Sequence, residues 1–371
     1  MPTNTGFNIA VFAGDGIGPE VTQATFAIID AAVARTGGFS VRREPLLAGA
    51  AYFQETGVDI APGAFEAAEK ADAIYLGAIG LPSIRHPDGT EIWPHLRMRD
   101  KFGLFAGVRP VKAYPNSPAY LSDERAAAID LVILRESTEG LFWSHGRGEL
   151  IDDVEAHETL VITRKTSEQL FDFAFDLARR RQARGGKGKV TCVDKANVFR
   201  SMAFFRKIFD ERAALNPDIA ADHSYVDAQA LFLIRRPWDF DVLVTENMFG
   251  DILSDLAGAL VGGMGMASCA EIGLEHALFQ PAHGSAPDIA GQDKANPIAA
   301  ILSGALMLDW LGSRHDVAKA CEAATLIETA VEEGFATGKM NPVEFGGPHG
   351  CNEITGALLE IINGKSATKA E

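Results

Sequence analysis

The chain alternates short apolar runs of β character with longer stretches in which apolar residues recur every three or four positions. FNIAVFAG (7–14), ADAIYLGAIG (71–80), DLVILRES (130–137), GKVTCVDKANV (188–198) and FDVLVTENM (240–248) read as strands. PEVTQATFAIIDAAVAR (19–35) reads as a helix between the first two of them, and that alternation predicts an α/β fold with a largely parallel sheet. Residues 296–364 read as helices, and the closing GKSATKAE reads as a tail. The stretch from Leu141 to Lys165 breaks the pattern. There LFWSHGRGEL and HETLVITRKTS flank an acidic turn, which predicts a protruding β-arm of the kind that pairs with a second chain.

With 371 residues, 47% of them hydrophobic, the chain can bury two sizeable cores or one large two-lobed core. Its net charge of −16 repels polyanions, which argues against nucleic acid and anionic membrane surfaces as partners. An anionic small molecule would therefore need a local cluster of basic groups. Cys192, Cys269, Cys321 and Cys351 show neither disulfide-framework nor zinc spacing, and no apolar run reaches membrane-spanning length. The expectation is a soluble cytoplasmic protein.

Candidate chemistry sits at the strand ends. GDGIGPE (14–20) follows a strand and opens a helix, but Pro19 stands where a dinucleotide fingerprint needs its third glycine. A phosphate loop and a plain Gly-Pro helix start both remain open. Arg99, Arg109 and Arg135 lie near apolar strands, and a buried arginine demands a carboxylate or phosphate partner, either from a ligand or from an internal acid such as Asp100 or Glu136. Lys195 follows an apolar strand, where a lysine can act as a base or simply pair with a neighbouring acid. Asp251 and Asp255 are four residues apart in ENMFGDILSDLAGAL (246–260), so on a helix they share one face and repel. With Asp227, in YVDAQALFLI, they offer three hard oxygen ligands for a divalent cation.

GDGIGPEV, R-x9-R-P (99–110), LVILRESTEG, DKANV, YVDA, ENMFGDILSDLAGAL and HGSAPDIAGQDKANP (283–297), in this order, resemble the β-decarboxylating dehydrogenases. That family comprises the isopropylmalate, isocitrate, homoisocitrate, tartrate and D-malate enzymes. The resemblance implies an isopropylmalate dehydrogenase-like two-domain fold with a mixed, mostly parallel sheet, divided into residues 1–105 with 262–371 and residues 106–261. It further implies that Arg99, Arg109 and Arg135 hold substrate carboxylates, that Asp251, Asp255 and Asp227 hold Mg²⁺ or Mn²⁺, and that Lys195 is the base at the C2 hydroxyl. Lys195 and Asp227 would reach each site from the other subunit of a homodimer. The nicotinamide would lie near Gly77 and Ala78, and the adenosine half along His283, Gly284, Ser285, Ala286, Asp288 and Asn296. An acid at the ribose favours NAD over NADP, because it accepts from a 2′-hydroxyl and repels a 2′-phosphate.

Three departures from the family pattern bear on the reaction. Phe142 stands where the family carries an acid/base tyrosine, and Ser144, two residues on, is expected to project to the same strand face and could position a water. Gly107 replaces the usual asparagine before Arg109. The segment TEIWPHLRMR, with Trp93 and His95, lacks the leucine pair of isopropylmalate enzymes and the polar pair of bacterial isocitrate enzymes. Together these predict a malate-type 2-hydroxy acid of D-malate or tartrate kind, with 3-isopropylmalate as the alternative. A regulatory ligand-binding paralogue is the reading of another class.

Overall fold

The computed structural model describes residues 5–364; residues 1–4 and 365–371, which include all but the first residue of the GKSATKAE stretch, lie outside the described residues. β1 (Thr5–Gly14) leads into α1 (Gly18–Thr36) and returns through β2 (Phe39–Leu46), parallel beside it. α2 (Ala50–Thr56) and α3 (Ala64–Lys70) precede β3 (Ala73–Ala78), which pairs with the other side of β1. Next come α4 (Pro94–Phe102), β4 (Ala106–Lys112), β5 (Asp130–Glu136) and a hairpin of β6 (Glu149–Ile151) and β7 (Glu155–His157). Helices and strands then alternate through α5 (Arg164–Ala183), β8 (Lys189–Asp194), α6 (Arg200–Ala213), β9 (Ala220–Tyr225), α7 (Val226–Arg235), β10 (Val242–Thr245) and α8 (Asn247–Ala259). β11 (Ser268–Ile272), β12 (Ala277–Pro281), α9 (Ile298–Arg314), α10 (Ala318–Ala336) and α11 (Cys351–Ile362) complete the chain.

Ten strands form one sheet in the order β2-β1-β3-β12-β11-β4-β5-β10-β8-β9. Only β12–β11, β11–β4 and β4–β5 are antiparallel, so the sheet is mixed and mostly parallel, as expected. β1, β3, β5, β8 and β10 are the continuous apolar runs read from the sequence, and such runs mark strands covered on both faces. Their side chains anchor the core: Ile9, Phe12, Ile133 and Val244 are fully buried, each contributing about 1.5–3 kcal/mol of transfer free energy.

GDGIGPE proves to be a Gly-Pro helix start, with Pro19 in the first turn of α1. Three of its amides are engaged by protein, that of Gly18 by the Asp15 carbonyl at 2.8 Å. Asp15 N–H donates to the Ala78 carbonyl at 2.7 Å and Ile17 N–H to the Ser285 carbonyl at 2.8 Å. The buried Asp15 carboxylate accepts from the amides of Ala50, Ala51 and Gly80 at 2.8, 2.9 and 2.8 Å. One acid thus ties the loop after β1 to the start of α2 and to the end of the 71–80 segment.

The β-arm is shorter than the sequence suggests. Its strands span only 149–157, Leu141–Ser144 is a single 3₁₀ turn, and Arg164 and Lys165 already belong to α5. The turn is acidic as expected, with Asp152 and Asp153 both in left-handed backbone at φ 49° and 55°. Leu150, Ile151 and Val154 stand exposed on it. Among the described residues no helix is long and apolar enough to cross a membrane.

Candidate active site

A cleft of about 270 Å³ opens where the loop after β3, helix α4 and the ends of β4, β5 and β12 meet α8. Arg99, Arg109 and Arg135 all line it and all are buried. Neither Asp100 nor Glu136 neutralises them. Arg99 and Arg109 instead share the Oε1 of Glu271, at 2.9 and 3.1 Å. Arg135 donates through Nε to Asn247 at 2.9 Å and pairs with Asp251. Burial, reinforced by the Arg99 and Arg109 charges, pulls the Arg135 guanidinium below its ordinary range. Arg97, by contrast, is half exposed and pairs with Asp59 outside the cleft.

Asp251 and Asp255 reach the cleft from α8, one turn apart on one face. The Glu246 carboxylate caps this helix by accepting from the amides of Met248 and Phe249. Gly250 lets it approach β5, since a Cβ there would meet Arg135 Cβ at 2.7 Å. Burial, and then the charge of Asp251, raises the Asp255 carboxyl above the usual range. Arg109 and Arg135 act on Asp255 from nearby, but among the described residues it makes no ion pair of its own, and an all-oxygen, half-buried donor set of this kind fits a hard divalent cation.

Asp227 does not join them within one chain. It sits in the first turn of α7, where it pairs with Lys195 at 2.7 Å, and neither residue lines the cleft. Lys195 holds the Asp227 carboxyl below its ordinary range. Among the described residues no three His, Cys, Asp or Glu side chains gather as a metal site. Around the pair, Val198, Phe199, Leu231 and Ile234 are exposed, and so is Ile252 on α8, which packs against α7.

Phe142 lines the cleft from its 3₁₀ turn, its ring centroid 4.9 Å from the Arg135 guanidinium carbon. Ser144 does not share its face. The turn buries Ser144, whose hydroxyl donates to the Thr159 carbonyl at 2.9 Å and accepts from the Thr159 amide at 2.6 Å. It is therefore not free to hold a water in the cleft. Leu76, Ile79, Trp93, His95 and Leu96 supply the opposite wall. Burial, with Arg99 next in weight, lowers the His95 imidazole to about 3, so the ring is neutral at physiological pH.

Gly77 and Ala78 line the cleft at the end of β3, and His283 and Gly284 line both the cleft and a neighbouring cavity of about 410 Å³. Ala286 and Asn296 line that second cavity, and Ser285 is buried beneath it with its hydroxyl on the Gly80 carbonyl. His283 Nε2 is buried without a partner, and burial lowers the ring's pKa. An unpaired ring nitrogen at the junction of two cavities fits a heteroaromatic ligand running from one to the other. Asn296 is oriented internally, donating to Glu344 Oε2 at 2.9 Å. Asp288 is exposed and does not line the cavity; its backbone carbonyl accepts from Gln292. Lys294 and Glu344 do line it, and neither stands out in the sequence. Glu271 was missed as well, although an acid inside the apolar strand SCAEI is a visible signal that a buried cation waits for it.

The sequence profile described as isocitrate/isopropylmalate dehydrogenase matches residues 8–358. The chain belongs to the isocitrate/isopropylmalate dehydrogenase family. It is 39% identical over 368 residues, 97% of each chain, to a protein of Heyndrickxia coagulans named 3-isopropylmalate dehydrogenase. It is 42% identical over 335 residues, 90% of this chain and 92% of the other, to the 3-isopropylmalate/3-methylmalate dehydrogenase of Methanocaldococcus jannaschii. Among solved structures, isocitrate dehydrogenase from Methylococcus capsulatus superposes with a TM-score of 0.83 at 34% identity, covering 96% of this chain and 99% of that one. A β-decarboxylating dehydrogenase of Thermococcus kodakarensis gives 0.78 at 33% identity, covering 96% of each. The protein is thus an NAD-dependent β-decarboxylating dehydrogenase acting on a small hydroxy acid, and the regulatory-paralogue reading gives way to the enzyme.

Proposed function

We propose that the protein oxidises a 3-alkylmalate, 3-isopropylmalate or a close homologue, at its C2 hydroxyl, and releases the carboxylate on C3 as CO₂. The observation that carries this is the cleft itself, which three buried arginines line together with apolar Leu76, Ile79 and Leu96, and with Phe142 beside Arg135. Forked guanidinium groups suit two carboxylates, and the apolar wall suits an alkyl group. The relatives named 3-isopropylmalate dehydrogenase support that substrate over the D-malate or tartrate type expected from Trp93 and His95. NADH formation with a panel of D-malate, tartrate, 3-methylmalate, 3-isopropylmalate and isocitrate tests it. The highest kcat/KM is expected on a 3-alkylmalate, and a clear preference for tartrate would overturn it.

In this reading Asp251 and Asp255 hold Mg²⁺ or Mn²⁺, which makes the C2 hydroxyl easier to ionise. Arg99, Arg109 and Arg135 orient the carboxylates, and Phe142 excludes water from the side of Arg135. NAD lies along Gly77, Ala78 and His283 into the second cavity, with Gly284, Ser285, Ala286, Asp288 and Asn296 around its adenosine half. Its preference over NADP is expected to narrow in Asp288→Lys, measured as the ratio of kcat/KM for the two cofactors. Equal use of both by the unmodified protein would remove Asp288 from this role.

Two copies of the chain complete the site, Lys195 and Asp227 serving the cleft of the neighbour. The exposed apolar side chains around that pair, and those on the β-arm, support a second copy as their cover. Mixing inactive Lys195→Ala chains with inactive Asp251→Asn chains is then expected to restore activity in the heterodimer, because one of its two sites carries neither defect. Confirmed heterodimers without activity would count against sharing. The two-lobed division, residues 1–105 with 262–371 against 106–261, belongs to the same proposal; the sheet runs antiparallel where the segments meet at β11 and β4. Four free cysteines suit a reducing cytoplasm.

A further inference from the structure

Glu271 does not line the cleft. It stands behind it on β11, fully buried, with one carboxylate oxygen shared between Arg99 and Arg109. Burial raises its pKa, but the charges of Arg99, Arg109 and Arg135 outweigh that and hold the carboxyl below its ordinary range, so it is ionised. Space for it comes from the partner strand. Glu271 lies opposite Gly107 in the β11–β4 register, and a Cβ on Gly107 would come within 3.0 Å of Glu271 Oε2 and 2.6 Å of Ser137 Oγ. The glycine that departs from the family pattern and the buried acid are therefore two halves of one arrangement.

That arrangement changes the charge a substrate meets. Three guanidinium groups converge on the cleft, and Glu271 cancels one of their charges at contact distance. Three guanidinium charges less that of Glu271 leave two on the arginine side, with Asp251, which faces Arg135, counted against the divalent cation it would hold; those two match two carboxylates. A third carboxylate on the substrate would meet no surplus positive charge, and would approach Glu271 in a low-dielectric wall.

We infer that Glu271 is a specificity-determining residue, acting through Arg99 and Arg109 to select substrates with two carboxylates and an uncharged 3-substituent over those with three. The inference rests on the malate-type reading of the cleft and goes beyond it by assigning the choice of substrate charge to a residue outside it. The test compares a dianion, 3-isopropylmalate, with a trianion, 3-carboxymethylmalate, both by calorimetric binding in the presence of Mg²⁺ and by NADH formation at low ionic strength.

The unmodified protein is expected to bind the dianion at least about tenfold tighter, and Glu271→Gln to shift the ratio towards the trianion by on the order of tenfold to a hundredfold. The shift is expected in KM and binding more than in kcat, which a merely structural defect would not produce. Should Glu271→Gln fold poorly, Glu271→Ser, which leaves Gly107 in place and removes the charge without added volume, carries the same expectation. Equal binding of the two acids by the unmodified protein, or a parallel loss of both in the variants, would overturn the inference. If neither acid is oxidised while binding still shows the charge selectivity, the malate-oxidation reading fails and the role of Glu271 stands.

Discussion

Asp251→Asn is expected to lower kcat/KM by about 10³-fold or more, and excess EDTA to abolish turnover until Mg²⁺ or Mn²⁺ is restored. A divalent Lewis acid supplies several kcal/mol to a hydroxyl becoming an alkoxide, and each 1.36 kcal/mol is about tenfold in rate. The structure supplies a reason for the sensitivity of this position. Asp251 is the acid that faces Arg135, while Asp255, one turn on, is already pushed towards protonation by burial and by Asp251 itself. Losing the Asp251 charge leaves the buried Arg135 with only the neutral Asn247 and removes half of the donor pair. The fold is expected to persist, because Asp251 is half exposed; circular dichroism checks this and metal titration calorimetry reads the lost affinity. Full turnover in EDTA would remove the metal from the reaction.

Phe142→Tyr is expected to accelerate oxidative decarboxylation when proton delivery limits it, by as much as about 10²-fold, since a positioned general acid typically contributes 10²- to 10⁴-fold. On the proposed mechanism, oxidation of the hydroxyl uses Arg99, Arg109, Arg135 and the α8 aspartates, none of which changes. Protonation of the enol left after CO₂ loss has no donor in a phenyl ring, and Ser144, the nearest hydroxyl in sequence, is bound to the Thr159 backbone. A tyrosine ring can take the place of Phe142 beside Arg135, and its hydroxyl would then extend beyond the ring in the cleft. CO₂ released and NADH formed, each followed in time with both proteins, separate the two steps. An unmodified enzyme that releases CO₂ as fast as it forms NADH, with no gain from tyrosine, would show that another donor already acts there.

What the sequence made legible follows from what its signals depend on. β1, β3, β5, β8 and β10 are apolar runs whose burial on both faces is written locally, so they read directly. β2 carries FSVRREPL on the sheet edge, and β9 carries ADHSY on the other edge; solvent on those strands replaces apolar residues with charged ones, and the pattern fades. The three arginines and the α8 aspartates were visible as residue types out of place. Glu271 is equally out of place in its apolar strand, but which cations it meets is not legible, because Arg109 lies 162 residues away and only the antiparallel centre of the sheet brings them together. Lys195 and Asp227 pair with each other and lie outside the cleft that the family resemblance assigns to them, and on the proposed reading they serve the cleft of a second copy.

The Asp15 tie has a consequence for how such an enzyme can change over time. What fixes the shape of the cofactor side is buried and made largely of backbone contacts, from Asp15 to Ala50, Ala51 and Gly80 and from Ile17 to Ser285. The side chains that would tell one dinucleotide from another, Asp288 and Lys294, stand at the exposed rim. Surface replacements away from such a frame usually alter stability by less than about 0.5 kcal/mol. On the proposed cofactor reading, a lineage carrying this frame could exchange its dinucleotide through one or two surface changes without loss of stability, whereas residue 107 cannot gain a side chain unless Ser137 and Glu271 give way.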